Sequence, residues 1–268
     1  MVRSMYKIPA TVTLLGALLL SCMQVQARDV RVLAPELPPM MDSSGKGREA
    51  TLIQETLGAC GHSVTFRVVP FTRHWADYKG DTSRSDAVAT VPAGMDMPGF
   101  ASTEYIQYQN GASVLKSAGL AVSKLEDLKG KRVVTFAGGK DILPGVKEAL
   151  PGFVDFREVA DQLIHSNTLF AKRVDAVLGD GLIFAEYNRI LQNKAKAGEK
   201  LPFDPAQDVV FTAIFPPSTY HMVFRDEVLR DDFNRCFETL KKSGRIDAIN
   251  RAVVEPFRAT VGTQYLGY

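Results

Sequence analysis

Arg173-Val174-Asp175-Ala176-Val177-Leu178-Gly179-Asp180 reads as a tight turn, a short buried strand and an acid at the strand's end. Working outward from it, Val159 to Ala171 has a helical pattern before the turn, and Leu182 to Gln192 has one after the acid. A helix leading into a buried strand and out into another helix is the repeating unit of a parallel-sheet α/β fold. The same device occurs earlier in the chain, at Arg84-Ser85-Asp86-Ala87-Val88, where an Arg-x-Asp turn again precedes an apolar strand pattern. The echo points to two related lobes.

Each copy sits at the end of its own series of strands and helices. In the first, Val30–Ala34 reads as a strand and is followed by a turn-rich stretch with Pro35, Pro38, Pro39, Gly45 and Gly47. Glu49–Ala59 then forms a helix with Leu52, Ile53, Thr56 and Leu57 on one face, stopped by Gly61. Val64–Val69 alternates as a strand, Phe71–Tyr78 is a short helix, and Asp86–Val91 is the third strand. Ser113–Lys116 is an extended connector, after which the pattern restarts. A strand at Arg132–Phe136, the Gly138-Gly139 turn, a helix over Ile142–Ala149 and a strand near Phe153–Phe156 lead to the second Arg-x-Asp turn. The polar run Asn193–Lys200 reads as a solvated loop.

The closing third adds a strand at Tyr220–Phe224 and an amphipathic helix at Glu227–Lys242, with Leu229, Phe233, Cys236, Phe237 and Leu240 at helical spacing. Gly244 follows, and a last helix over Ile246–Val253 ends before Pro256. This arrangement predicts lobe 1 from residues 28–113 plus 225–268 and lobe 2 from 114–224. Two crossings between them make a hinge, and a cleft between hinged lobes is a ligand site.

The first residues stand apart from this fold. Arg3 and Lys7 precede an apolar run of about 13 residues, Ile8–Leu20, and Val25-Gln26-Ala27 fits a small-x-small cleavage site, so residues 1–27 read as an export signal. The run is shorter than the ~20 residues of a membrane span. Leu19-Leu20-Ser21-Cys22 offers a second reading, a lipoprotein box that anchors the chain through Cys22. Either reading places the chain in an oxidising, exported compartment.

Composition narrows the function. The chain of 268 residues is 46% hydrophobic and 23% charged, the proportions of a globular protein. Without residues 1–27 it carries 30 basic and 30 acidic side chains, so no basic field exists to hold nucleic acid. His62, His74, His165 and His221 lack ligand spacing, and no metal or cofactor is implied. Cys236 sits on the apolar stripe of its helix, where it is either a buried thiol or half of a disulfide with Cys60.

A family resemblance follows from several segments in order. Glu36-Leu37-Pro38-Pro39-Met40 lies after the first strand, Val69-Pro70-Phe71-Thr72-Arg73 after the second, and Ser85-Asp86-Ala87-Val88 within the third. Ser102-Thr103-Glu104-Tyr105, the run from Leu125 to Val134, the Gly138-Gly139 turn, Arg173–Asp180 and the segment from Leu229 to Ile249 complete the series. Together they resemble the extracellular solute-binding proteins of family 3, the polar amino-acid type that serves ABC importers. The resemblance implies a two-lobed α/β fold of the type II periplasmic-binding kind, each lobe a mostly parallel sheet flanked by helices, joined by a two-strand hinge. It implies a monomeric receptor for a small polar solute, with an importer permease or a sensor protein as partner.

It also implies site residues. Asp180, at a strand's carboxyl end, would accept a hydrogen bond from a ligand ammonium group; a helix N-cap is the alternative. Gly138, Gly139 and Lys140 would meet a ligand carboxylate at the start of a helix. Leu37 and Phe71 would pack on the ligand's aliphatic part, and Thr90, near the end of the third strand, joins them. Trp75 belongs to the core. One departure is marked: no Arg occurs between Arg84 and Arg132, where amino-acid binders carry the guanidinium that clamps the α-carboxylate. Either Arg73 replaces it, or Arg73 is a surface residue paired with Asp77, or the ligand has no α-carboxylate. An exported dehydratase-like enzyme using Glu36, Glu104 or Asp180 is a further alternative, as is a scaffold that has lost ligand binding.

Overall fold

The computed structural model describes residues 27–82 and 84–268, so the lipoprotein reading at Cys22 and nearly all of the export-signal reading lie outside the described residues. The first lobe opens with β1 (Asp29–Pro35), α1 (Arg48–Ala59), β2 (Ser63–Val69), α2 (Arg73–Lys79), β3 (Ala87–Pro92) and β4 (Phe100–Tyr108). The second contains β5 (Asn110–Leu115), β6 (Arg132–Phe136), α3 (Gly139–Ile142), α4 (Val146–Ala149), β7 (Asp155–Val159), α5 (Leu163–Phe170), β8 (Ala176–Asp180), α6 (Gly181–Lys196) and β9 (Val209–Thr212). The chain then returns through β10 (Ser218–Phe224), α7 (Glu227–Lys242) and α8 (Arg245–Val254), and ends with α9 (Arg258–Val261).

Two five-stranded sheets result, ordered β2-β1-β3-β10-β4 and β7-β6-β8-β5-β9. In both, the first three strands are parallel and the fourth runs antiparallel to the neighbour on each side of it. The parallel strands are the buried ones. Val32, Leu33, Ala34, Ala87, Val88 and Ala89 are sealed from water in the first sheet, and Val133, Val134, Ala176, Val177 and Leu178 in the second, because helices cover both faces.

The crossings fall elsewhere than the sequence pattern predicts. β5 pairs with β8 and β9, so 110–113 belong to the second sheet; β10 pairs with β3 and β4, so 218–224 belong to the first. The chain therefore crosses at Gln109 and again between Thr212 and Ser218. Each sheet receives one antiparallel strand from a crossing segment, which an uninterrupted β-α rhythm does not reveal. β4 and β9, antiparallel edge strands with mixed exposure, are also absent from the periodicity.

Helices differ in detail for local reasons. The single helix expected over Ile142–Ala149 is two short ones, because Pro144 and the left-handed Gly145 interrupt it. The expected loop from Asn193 continues α6 to Lys196, its exposed polar residues forming the solvated face of a helix. The helix expected from Val159 starts at Leu163, since Val159 completes β7.

A disulfide joins Cys60, just past α1, to Cys236 on α7. After α8 the chain makes a further passage between the lobes. Phe257 and α9 pack against α6 and β9 of the second lobe, then Tyr265 returns to the hinge and the Tyr268 hydroxyl accepts from Asn250 Nδ2 at 2.9 Å on α8. Among the described residues no helix is long and apolar enough to cross a membrane, and no cluster of three or more His, Cys, Asp or Glu is arranged to hold a metal.

Candidate functional site

The carboxyl ends of the parallel strands of both sheets face each other, the place where open α/β sheets bind ligands. Leu37 after β1, Phe71 after β2, Tyr108 at the end of β4 and Tyr220 on β10 line one wall of the cleft. Asn110, Phe136, Gln162, Asp180 and Ile183 line the other. The lobes are closed on each other: the Phe71 and Phe136 rings meet edge to face across the gap at 5.9 Å, and the space left in the cleft is about 10 Å³, room for about one water.

Asp180 is built into this wall as the N-cap of α6. Its Oδ1 accepts from the backbone N–H of Leu182 at 2.9 Å and Ile183 at 3.0 Å; its Oδ2 accepts from the N–H of Gln109 at 3.0 Å and the Tyr265 hydroxyl at 2.7 Å. Four donors occupy the four lone-pair positions of the carboxylate. Burial nevertheless pushes its pKa up to about 6, against the pull of Tyr265, the two helix amides and the nearby Arg48. Of the two roles weighed from the sequence, the helix cap is what the geometry shows; Asp180 also stands in the cleft wall.

Behind the opposite wall lies a second buried carboxylate. Glu49, in the first turn of α1, accepts from Thr90 Oγ1 at 2.6 Å, from the Tyr105 hydroxyl and from the Tyr108 hydroxyl at 3.0 Å. Burial outweighs these three bonds and raises its pKa. Thr90 holds a left-handed backbone at φ 56°, donates its N–H to Tyr105 and accepts from the Trp75 indole at 3.1 Å. Its hydroxyl is spent on Glu49, so Thr90 supports Tyr108 from behind and does not line the cavity. Trp75 belongs to the same packed layer.

The remaining expected residues are placed away from the cavity. Arg73 is an exposed side chain, 3.5 Å from Asp77 one turn along α2, and Arg67 approaches the same carboxylate at 3.7 Å. Lys140 donates through Nζ to Glu158 at 2.9 Å and pairs with Asp141 at 3.1 Å; its backbone N–H also goes to Glu158, at 3.0 Å. The anion at this turn is therefore the protein's own glutamate. Gly138 is in the left-handed region at φ 83°, while a Cβ on Gly139 would stand 2.4 Å from Thr135 Oγ1, so the diglycine serves the bend and its packing on β6.

Tyr108, Asn110, Phe136, Gln162, Ile183 and Tyr220 line the cleft without having been expected there. Phe136 and Ile183 were within reach of sequence reasoning, being the last residue of a strand and the first turn after Asp180. Tyr108, Asn110 and Tyr220 belong to the crossing segments, whose placement depends on sheet order.

Two sheets that meet over a cleft at their strand ends, linked by crossing strands, define a two-lobed α/β fold of the periplasmic-binding kind. No family model matches the chain. A relative, the probable amino-acid ABC transporter-binding protein of Haemophilus influenzae, is 24% identical over 217 residues, 78% of this chain and 77% of the relative. An ancestral arginine-binding protein solved with arginine bound has the same fold, with a TM-score of 0.65 and 22% identity over 85% of this chain and 98% of its own. The ancestral amino acid-binding protein described as a precursor of cyclohexadienyl dehydratase has a TM-score of 0.65 and 18% identity over 84% of this chain and 94% of its own. In sequence and in architecture, then, the chain resembles the family 3 solute-binding proteins of amino-acid importers.

Proposed function

We propose that the chain is an exported receptor that captures a small polar solute between its lobes, closes on it and presents the closed form to the permease of an ABC importer. The supporting observation is the cleft at the strand ends of two separate sheets, walled by both lobes and crossed by the hinge at Gln109 and at 213–217. Binding then shifts the population from open to closed by as much as the two forms differ in affinity. The relatives that bind or transport amino acids favour the same reading.

The dehydratase-like alternative requires an acid free to act in the cleft. Asp180 has its oxygens occupied, Glu104 faces a separate groove on the first lobe, and Glu36 stands at the lip without lining the cavity. These placements favour capture over turnover.

A thermal-shift screen of amino acids, amines and small carboxylates tests the proposal, because a ligand of the folded state raises Tm by mass action. A solute that is recovered unchanged and loses its effect in Phe136→Ala supports the receptor. Conversion of the solute, or a shift unaffected by Phe136→Ala and Gln162→Ala, argues against it.

A further inference from the structure

Resting on that receptor reading, we infer that the cleft takes an organic cation without a carboxylate: an amine carried on an aromatic or aliphatic body. Four observations combine.

The walls are apolar and aromatic. Phe71, Tyr108, Phe136 and Tyr220 supply rings, and Leu37 and Ile183 supply alkyl surface. Ring faces attract cations and repel anions through their quadrupole.

Among the described residues no cation lines the cavity. Each basic group that belongs to its surroundings is held elsewhere. Arg73 lies out on α2 with Asp77, and Lys140 is held by Glu158 and Asp141. Arg48, buried at the hinge, donates to Asn250 at 2.8 Å and to the carbonyl of Gln107 at 3.0 Å. A ligand carboxylate closed into this space would lose its water beside Asp180, a costly burial, with no cation in the wall to pair it, since Arg48 lies behind Tyr265 and acts on Asp180 itself.

The charge that is present is negative. Asp180 lies in the wall, Glu36 precedes Leu37 on one lip, and Asp161 precedes Gln162 on the other. Tyr187, one helical turn beyond Ile183, has its pKa raised by burial and, less strongly, by Glu36, Asp161 and Glu186, so acids of both lobes act on that side of α6. Glu186 is paired with Arg189, whereas Glu36 and Asp161 have no ion-pair partner among the described residues.

Finally, Gln162 lines the cavity, and its side-chain amide has no hydrogen-bond partner among the described residues. An amide left free at the cavity wall can bond a polar group of a ligand.

Two pairs of probes that differ only by a carboxylate test the inference: 2-phenylethylamine against L-phenylalanine, and agmatine against L-arginine. Titration calorimetry on the exported chain at neutral pH is expected to give at least one amine a Kd tenfold or more below that of its amino acid. Gln162→Ala should weaken that amine while leaving Tm within a few degrees, and Phe136→Leu should weaken it by removing the ring while keeping most of the buried volume. Glu36→Gln with Asp161→Asn should weaken it chiefly at low salt, as attraction across solvent requires. An amino acid that binds as tightly as its amine, or more tightly, overturns the charge rule and leaves the receptor standing. If no member of either pair binds, the inference also falls, and the wider solute screen decides the receptor reading independently.

Discussion

The two lobes are alike at the end far from the cleft and different at the cleft itself. In the first, Asp86 caps the start of β3 and receives Arg31 through its backbone N–H at 2.9 Å, Nε at 3.0 Å and Nη2 at 3.1 Å. In the second, Asp175 receives Arg132 through the same three atoms at 2.8, 3.1 and 2.6 Å. Even the return bonds match, Asp86 N–H to the Arg31 carbonyl and Asp175 N–H to that of Arg132, both at 2.8 Å. At the other end of these strands the lobes part. The first buries Glu49 under three hydroxyls, while the second turns Asp180 into a helix cap open to the cleft. One frame is used twice, and its divergence is concentrated where a ligand would lie.

The largest test of this comparison concerns a bond the second lobe lacks. Cys60–Cys236 closes a loop across 176 positions and ties the two ends of lobe 1 together. On the chain-entropy model its removal costs up to about 5 kcal/mol. Calorimetry on Cys60→Ser/Cys236→Ser should show a lower-melting component from lobe 1, separating a transition that the intact protein makes together; one unchanged transition would mean that the bond adds little.

Each lobe also buries one neutral histidine, and these predict its response to acid. Burial pushes His74 down to about 3 and His165 down to about 4 from the usual 6.5, the latter opposed by the carbonyl of Val159. The unfolded chain binds these protons near pH 6.5 while the folded chain does not, so stability falls as pH drops from 6.5 towards 4, by at most about 1.4 kcal/mol per pH unit for each group. Like Glu49, whose pKa burial also raises, Asp180 acts in the opposite sense. Its folded value of about 6 lies above the ordinary 3.8, so the folded state gains the proton first and recovers stability between pH 6 and 4. Urea unfolding at pH 7.5 and 5 should show a net loss in acid. His74→Leu should reduce that loss more than His165→Leu, since neither ring nitrogen of His74 has a partner to forfeit whereas His165 Nε2 lies 3.1 Å from Val159 O.

A smaller effect separates the two buried carboxylates. Tyr265→Phe removes one of four donors from Asp180, and Tyr108→Phe removes one of three from Glu49. Each should cost about 1.5–3 kcal/mol, the range for a hydrogen bond to a charged group. Only Tyr265→Phe should also raise the Asp180 pKa further above 6, read by carbon-detected NMR titration.

What was legible in the sequence follows the same division. The Arg-x-Asp turns are local, and the pattern of a helix, a turn and a buried strand exposes them directly. Asp180 was legible because its role is set by the residues on either side of it. The crossing strands were not: Asn110–Leu115 and Ser218–Phe224 take their places from partners 64 to 137 positions away, and no local period records which sheet they join. Arg73 and Lys140 divide in the same way. The i,i+4 pairing of Arg73 with Asp77 was one of the readings the sequence offered, whereas Glu158, which claims Lys140, lies 18 positions away on β7 and no local spacing records it.

The smallest predicted effect is the most direct check on the repeated frame. Arg31 and Arg132 are substantially exposed, so their ion pairs contribute little in water. What Asp86 and Asp175 supply is an acceptor for a backbone N–H at the start of a buried strand. Asp86→Ala and Asp175→Ala should therefore each cost about 1 kcal/mol, a fall of about 2–4 °C in Tm. Because Asp175 is the less exposed of the two, at 31% against 37%, its loss should be slightly the greater. The sites share no partner, so the double variant should lose the sum of the two. A large effect in one lobe and none in the other would show that the matching geometry is not matched in energy, and the frame would then be repeated in form only.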